Sequence, residues 1–335
     1  MNLLCVFFEL HFVFISPSCP LHYHGVTLNR KQKLITMKTK NQLFGMIVVF
    51  ISAISFGLFS CSNDEDINGE GQIKMNITDA PIDEEGVTGV YITFLGIEYQ
   101  KEGGPWQTAE EFEGPVTINL LELQNGRTEL LGDFTAGAGR YTGVRFKLDA
   151  ATRGSTASNP GCYITFEDGT QVPLFVPSGE QTGYKAVGEF TVPVNGTVEI
   201  TADFDLRKSV TKSGVTGMYL LKPTIRVIVN NEAGDIRGNI SNRNAERAYV
   251  VYAYEAGSYD ESESDDPEGE EVRFPNAISS TGAEDNGDYI LAFLAPKSYD
   301  LIVAEIDAEG VPTVVQIVTD VTVDSRQVTI ANIEL

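Results

Sequence analysis

Carboxylates are the side chains of this sequence whose type and spacing could do chemistry. Asp203 and Asp205 stand two apart in a β-type segment, so on a strand both side chains point to the same face. Such a pair could hydrolyse a glycosidic bond or bind calcium. Arg207 and Lys208 follow closely, however, and favour a structural cluster of salt bridges. The sequence leaves both interpretations open.

A second acidic group lies at residues 260–271, where eight acidic residues share one segment with Pro267 and Gly269. Such a run is typical of a flexible, solvated loop that is dispensable for folding. The alternative is a weak calcium site, with Asp260, Glu261, Glu263, Asp265 and Asp266 as its ligands. We expect no other cofactor.

Three further patterns suggest chemistry less strongly. Ser209 and Lys212 have the S-x-x-K spacing of penicillin-binding enzymes, but that motif works at the start of a helix with partner motifs. Cys162 has no histidine as its base, because all three histidines precede residue 25, so a small core residue is expected. Trp106, the only tryptophan, could stack on a sugar, although a single tryptophan more commonly covers one end of a hydrophobic core. None of these residues defines an enzyme class.

The amino terminus has the features of a lipoprotein signal peptide. Basic residues at 37–40 precede an apolar run, residues 43–59, that ends in Ser60 and Cys61. The run is shorter than the ~20 residues that a spanning helix needs, so it is a signal peptide. The segment resembles a lipobox, which implies cleavage behind Ser60 and acyl groups on Cys61, although Phe59 is bulkier than the residue usual there. The alternative is an ordinary secretory signal with an incidental cysteine.

We therefore expect translation to start at Met37, residues 1–60 to be removed, and the lipid on Cys61 to hold the protein in a membrane. Residues 61–70 are polar and acidic and bury nothing, so they form a solvated tether. Residues 64–69 also fit the start of a calcium loop, but Met75 stands where the bidentate glutamate belongs. The acidic cluster resembles the export signal of Bacteroidetes surface lipoproteins. This resemblance implies the cell surface; otherwise the protein occupies the periplasmic face of the outer membrane.

The charge of the chain limits its partners. Residues 1–60 hold five basic residues, one acidic residue and every histidine, so the formal charge changes from −23 to −27 on their removal. This balance disfavours nucleic acid, whose binding requires Lys and Arg at phosphates, and disfavours anionic membrane surfaces. We expect partners that are neutral or basic, or metal ions, and among macromolecules an extracellular protein or glycan.

The pattern from Gly71 onward predicts an all-β protein. Short alternating strands are broken by turn residues, and no long apolar stretch has helical spacing. Residues 120–123 are the one expected short helix or turn. Strands at this spacing without helices between them favour β-sandwiches, immunoglobulin-like or transthyretin-like. Clear examples of strands are residues 90–94, 141–148, 197–202 and 224–229.

Turn-forming residues at 230–234 divide the strands into two groups. We expect two consecutive β-sandwich domains, residues 71–229 and 234–335, each with its own core and able to fold alone.

Each half resembles a known family. Motifs along the first half resemble the domain of unknown function 4382 of bacterial lipoproteins, over about residues 71–229. The resemblance implies a β-sandwich and no assigned activity. Its motifs are Thr78-Asp79-Ala80-Pro81 and residues 119–126, 139–145, 177–185, 203–210 and 221–226.

Residues 234–240, 248–254, 285–294 and 299–303 resemble a carboxypeptidase-regulatory-like or Cna B-type module, which implies a transthyretin-like sandwich. Some Cna B-type domains form a Lys-Asn cross-link. Lys297, beside Pro296 in an expected loop, is the only lysine after residue 234, so that bond is not expected here.

Two classes of function follow. The first is a surface lipoprotein that acts as a non-catalytic binding, adhesion or assembly module, fimbrial or glycan-related. The second is a carbohydrate-active hydrolase that uses carboxylates only, which the absence of histidine after residue 60 permits.

Overall fold

The computed structural model describes the chain from residue 69 to the carboxyl end, apart from six short gaps. The leader, Cys61 and all but the last two residues of the expected tether lie outside the described residues. Within the described part, no helix has the length and apolar character that crossing a membrane requires. The described residues are 69–80, 86–155, 161–177, 183–213, 216–267, 271–308 and 310–335.

The first part of the chain forms strands β1 to β14. They alternate apolar and polar residues, so one face of each strand enters the core. Their bounds are β1 Glu70–Ala80, β2 Val87–Lys101, β3 Trp106–Thr108, β4 Val116–Asn119, β5 Glu129–Gly137, β6 Gly139–Leu148, β7 Tyr163–Phe166, β8 Gln171–Pro173, β9 Tyr184–Ala186, β10 Phe190–Val192, β11 Thr197–Asp205, β12 Val210–Lys212, β13 Tyr219–Leu221 and β14 Ile225–Val229.

Two sheets enclose the first core. One has the order β14-β11-β1-β5, with β1 parallel to β11 and antiparallel to β5. The other has the order β10-β6-β2-β7-β8, and β3 and β4 pair with β2 while β9 pairs with β6. Phe94 and Phe146 meet edge to face in the core with ring centroids 5.7 Å apart. Burial of each such ring contributes about 1.5–3 kcal/mol.

Two short helical turns interrupt these strands. The 3₁₀ turn Leu120–Leu123 lies where a short helix or turn was expected, and it buries Leu120 and Leu123. The α-helical turn α1, Leu206–Ser209, follows β11 directly. Asp205 caps α1, because its side chain accepts a hydrogen bond from the Lys208 backbone N–H.

The second part of the chain forms strands β15 to β22. Its sheets have the orders β18-β15-β21, with β22 beside β15, and β17-β16-β19-β20. A 3₁₀ turn, Glu261–Ser264, lies in the connection from β16 to β17. The strand bounds are β15 Gly234–Ser241, β16 Ala248–Glu255, β17 Ser279–Gly282, β18 Asp288–Leu294, β19 Ser298–Ile306, β20 Pro312–Thr322, β21 Val328–Ile330 and β22 Ile333–Glu334.

Strand β16 is buried on both faces. Val251 packs in the core between the two sheets, whereas Tyr252 and Tyr254 point to the opposite side of their sheet. The connection between β16 and β17 covers that side with Phe274, whose ring stacks on Tyr252 at 4.0 Å.

The prediction of an all-β protein made of β-sandwiches is confirmed. The buried residues of the first core lie between Ile73 and Val227, and those of the main core of the second sandwich lie between Ile236 and Ile333. The two cores have no residue in common.

Candidate functional site

The carboxylates of Asp203 and Asp205 are both paired with cations. Asp203 Oδ2 lies 2.6 Å from the Arg226 Nε, because β11 and β14 place these two residues opposite each other. Asp205 Oδ2 lies 3.3 Å from Arg207 Nη2 and 3.5 Å from Lys208 Nζ. Both carboxylates are buried. The arrangement is a salt-bridge cluster at the end of β11.

This cluster lies at the junction of the two sandwiches. The buried Arg207 Nη1 donates to the carbonyl oxygens of Arg273 (2.8 Å) and Phe274 (2.7 Å). Its guanidinium also lies over the Tyr252 ring, 5.5 Å from the centroid. Lys208 Nζ donates to the Ala277 carbonyl at 2.5 Å. Two adjacent cations of α1 therefore bind the connection between β16 and β17.

Burial lowers the pKa of Lys208, although the Asp205 carboxylate acts in the opposite direction. A second contact joins the sandwiches beside this one, since Thr281 Oγ1 and Asn125 Oδ1 are 2.5 Å apart. The junction thus combines charged, polar and aromatic contacts.

The acidic segment 260–271 is partly held by the fold. Glu263 accepts hydrogen bonds from the Tyr254 hydroxyl (2.7 Å) and from the Asn276 backbone N–H (3.1 Å) and side-chain amide (2.9 Å). Burial, together with the hydrogen bond to Glu263, raises the pKa of Tyr254. The interpretation of the whole segment as a solvated loop is therefore wrong at Glu263.

The other proposed calcium ligands either have partners of their own or are exposed. Asp260 caps the turn Glu261–Ser264 by accepting from Ser262, and Asp266 forms an ion pair with Arg273. Glu261 and Asp265 are exposed. Across the described residues, no three acidic, histidine or cysteine side chains converge as a metal site would require.

The remaining reactive patterns lie in structural positions. Ser209 ends α1 and accepts from the Thr224 backbone N–H at 2.9 Å, while Lys212 lies on β12 with its Nζ 5.1 Å from the centre of the Tyr219 ring. The thiol of Cys162 is buried, and its burial raises its pKa to about 12. The expectation that Cys162 is a small core residue is confirmed, and Ser209 ends a helical turn, whereas the S-x-x-K motif works at the start of a helix.

Trp106 lies in a surface whose other residues were not predicted from the sequence. Trp106 lies half-buried on β3, and the Arg145 guanidinium lies 4.3 Å from the centre of its ring. A Cβ at position 143 would lie 2.7 Å from the indole Cη2, so glycine there makes room for the ring. The indole therefore rests against the outer face of the larger sheet of the first sandwich.

Cross-strand pairing extends this surface over four strands. Gln100 of β2 lies opposite both Trp106 and Gly143, and Arg145 of β6 lies opposite both Glu98 and Lys185. Glu98 forms ion pairs with Arg145 and with Lys147, the latter at 2.7 Å. Alternation in β6 was the available signal, because residues 143, 145 and 147 must share one face.

Burial raises the pKa of the Glu98 carboxyl, but hydrogen bonds from Lys147 and Arg145 outweigh this effect, so the pKa is below its usual value. Glu98 is consequently ionised at neutral pH and fixes both cations on the sheet.

One open cleft lies at the other end of β1. Its volume is about 420 Å³, and its lining is more polar than apolar. The lining residues are Glu70, Gly71, Gln72, Thr135, Asn195, Gly196 and Thr197.

These features define a class of protein, an all-β chain with two sandwiches in its described part. Residues 70–223 match the family described as a domain of unknown function, DUF4382, which confirms the resemblance of the first half. No curated protein matches the chain.

The chain is also similar to several solved structures, all at low identity. The TIE protein of Bacillus anthracis is 8% identical with a TM-score of 0.19, over 79% of this chain and 34% of that one. A leucine-rich repeat protein from Bacteroides thetaiotaomicron is 11% identical with a TM-score of 0.18, over 80% and 26%. The major pilin subunit of Bacillus cereus is 10% identical with a TM-score of 0.18, over 79% and 69%. The chain thus spans about a third and a quarter of the first two proteins.

Proposed function

We propose that this chain is a lipid-anchored outer-membrane protein, exposed on the cell surface, that acts as a non-catalytic binding, adhesion or assembly module. The anchor is the lipid on Cys61, and residues 61–70 are the tether. The division into domains 71–229 and 234–335, and a transthyretin-like character of the second domain, belong to the same proposal.

The position of the second sandwich is the observation that carries this proposal. Glu70 begins β1, and the other end of β1, at Ala80, pairs with Asp205 just before α1. α1 in turn binds the second sandwich through Arg207 and Lys208. Eleven residues of β1 span about 36 Å, so the contacts of Arg207 and Lys208 with the second sandwich lie about one strand length from Glu70. This part of the junction is thus remote from the residue at which the expected tether enters β1.

The chemistry of the buried groups supports a non-catalytic role. Arg226 and Arg207 hold the buried carboxylates of Asp203 and Asp205 in ion pairs, so neither carboxylate is free to contact a substrate. A cysteine whose pKa is about 12 is not a nucleophile at neutral pH. No contact among the described residues favours the hydrolase alternative.

Acyl labelling of cells that express the full chain tests the anchor. Wild-type protein grown with an alkyne fatty acid should carry the label, and Cys61→Ala should lose it. Cys162→Ala is the matched control, since that cysteine is buried in the first sandwich, and it should keep the label. Equal labelling of Cys61→Ala and wild type would contradict the lipoprotein proposal.

A further inference from the structure

The outer face around Trp106 is the surface with the clearest binding chemistry among the described residues. Four strands, β3, β2, β6 and β9, present side chains on this one face, in the register that pairs Trp106 with Gln100 and Arg145 with Lys185. At about 4.8 Å between strands the face is about 14 Å wide, which exceeds one sugar ring. Gly96 and Gly143 lie on the same face, and the Trp106 indole packs over Gly143.

Charge on this face has the opposite sign to that of the whole chain. Arg145, Lys147 and Lys185 outnumber Glu98, the acidic residue paired with them. The side chain of Lys147 is 43% exposed and that of Arg145 is 21% exposed, so both reach solvent. Arg140, further along β6, is balanced by Glu102 and Glu189. The positive surplus therefore lies beside the indole.

Local charge decides what such a face attracts. At physiological ionic strength charges are screened beyond about 8 Å, so the net negative charge of the chain acts weakly here compared with cations on the face. The expectation of neutral or basic partners, which rests on net charge, does not extend to this surface.

We propose that the Trp106 face binds an acidic polysaccharide of the uronate type. The apolar C–H face of a pyranose ring stacks on the side of the indole that Arg145 does not cover, and the sugar carboxylates contact Arg145, Lys147 and Lys185. Gln100 and Thr108 supply hydrogen bonds to hydroxyl groups. This inference rests on the proposed function, since it names the ligand of a non-catalytic surface module.

Affinity electrophoresis of the full mature chain in gels that contain polygalacturonate tests the proposal, with neutral dextran as the comparison. Wild-type protein should be retarded by polygalacturonate and not by dextran. Trp106→Ala should weaken retardation about tenfold, the value of one aromatic contact, and Lys185→Gln about threefold, the value of one exposed charge. Lys74→Gln and Lys297→Gln are the matched controls, because both lysines lie away from this face, and they should bind as wild type.

Trp106→Phe keeps a stacking ring and should retain most of the binding, which separates loss of contact from loss of folding. Polyglutamate, an acidic chain without sugar rings, should compete poorly. Absence of retardation, equal retardation of wild type and Lys185→Gln, or equally strong competition by polyglutamate would each overturn the proposal. Release of reducing ends from polygalacturonate by the wild type would instead contradict the non-catalytic function, so the two failures are distinguishable.

Discussion

At the scale of single residues, the fold determines which hydrogen-bond donors and cations each acidic side chain contacts. Asp203 and Glu263 look alike in the sequence, as members of acidic groups that could bind a metal. In the fold Asp203 meets Arg226 across a strand pair, and Glu263 receives donors from Tyr254 and Asn276. The partners are nine or more residues away along the chain, so only the register of strands and the path of a connection reveal them.

Glu263 gives the first test at this scale. Glu263→Ala removes the acceptor of Tyr254 and Asn276, and a buried hydroxyl without a partner costs about 1–3 kcal/mol. Thermal unfolding should show a melting temperature lower by several degrees. Glu261→Ala, at an exposed position two residues earlier, is the control and should change the free energy of unfolding by less than about 0.5 kcal/mol. Equal effects of the two substitutions would restore the solvated-loop interpretation.

At the scale of elements, strands were predictable and connections were not. The alternation of apolar and polar residues identified β6 and β11, because its period of two is visible in the sequence. α1 is four residues long, too short to show a helical period. The connection from β16 to β17 looks polar and acidic, yet Phe274 and Ala277 within it are buried. A few apolar anchors inside a charged segment give no periodic signal.

Arg207 tests the role of α1. Arg207→Ala removes one donor from each of the Arg273 and Phe274 carbonyls and one cation from Asp205, so we expect a loss of about 3–5 kcal/mol in the free energy of unfolding. Arg237→Ala is the matched control, since Arg237 is 49% exposed and its ion pair with Asp235 lies on the surface. Chemical denaturation followed by tryptophan fluorescence measures both variants.

Trp106 reports on the first sandwich, and far-ultraviolet circular dichroism reports on both. In Arg207→Ala the fluorescence and circular-dichroism transitions should have different denaturant midpoints, because the junction no longer couples the unfolding of the two sandwiches. Coincident transitions with wild-type stability would show that Arg207 does not join them.

At the scale of the whole molecule, the sequence indicated two sandwiches but not how they meet. Separate cores follow from two groups of strands divided by turn formers at 230–234. The junction joins Arg207 to Phe274, Lys208 to Ala277 and Asn125 to Thr281, and the residues of each pair lie 67 or more positions apart in the sequence. The surface around Trp106 was equally hidden, since its cations come from β6 and β9. Sequence alone located its tryptophan and not its neighbours.

The central claim is that this body is displayed on the outside of the cell by a lipid on Cys61. Digestion of intact cells with proteinase K tests it most directly, with immunoblots against the second sandwich and against a periplasmic marker. The account predicts that wild-type protein is degraded while the marker survives, and that Cys61→Ala is released or protected with the marker. Wild-type protein that persists on intact cells and disappears only after permeabilisation would contradict display at the surface.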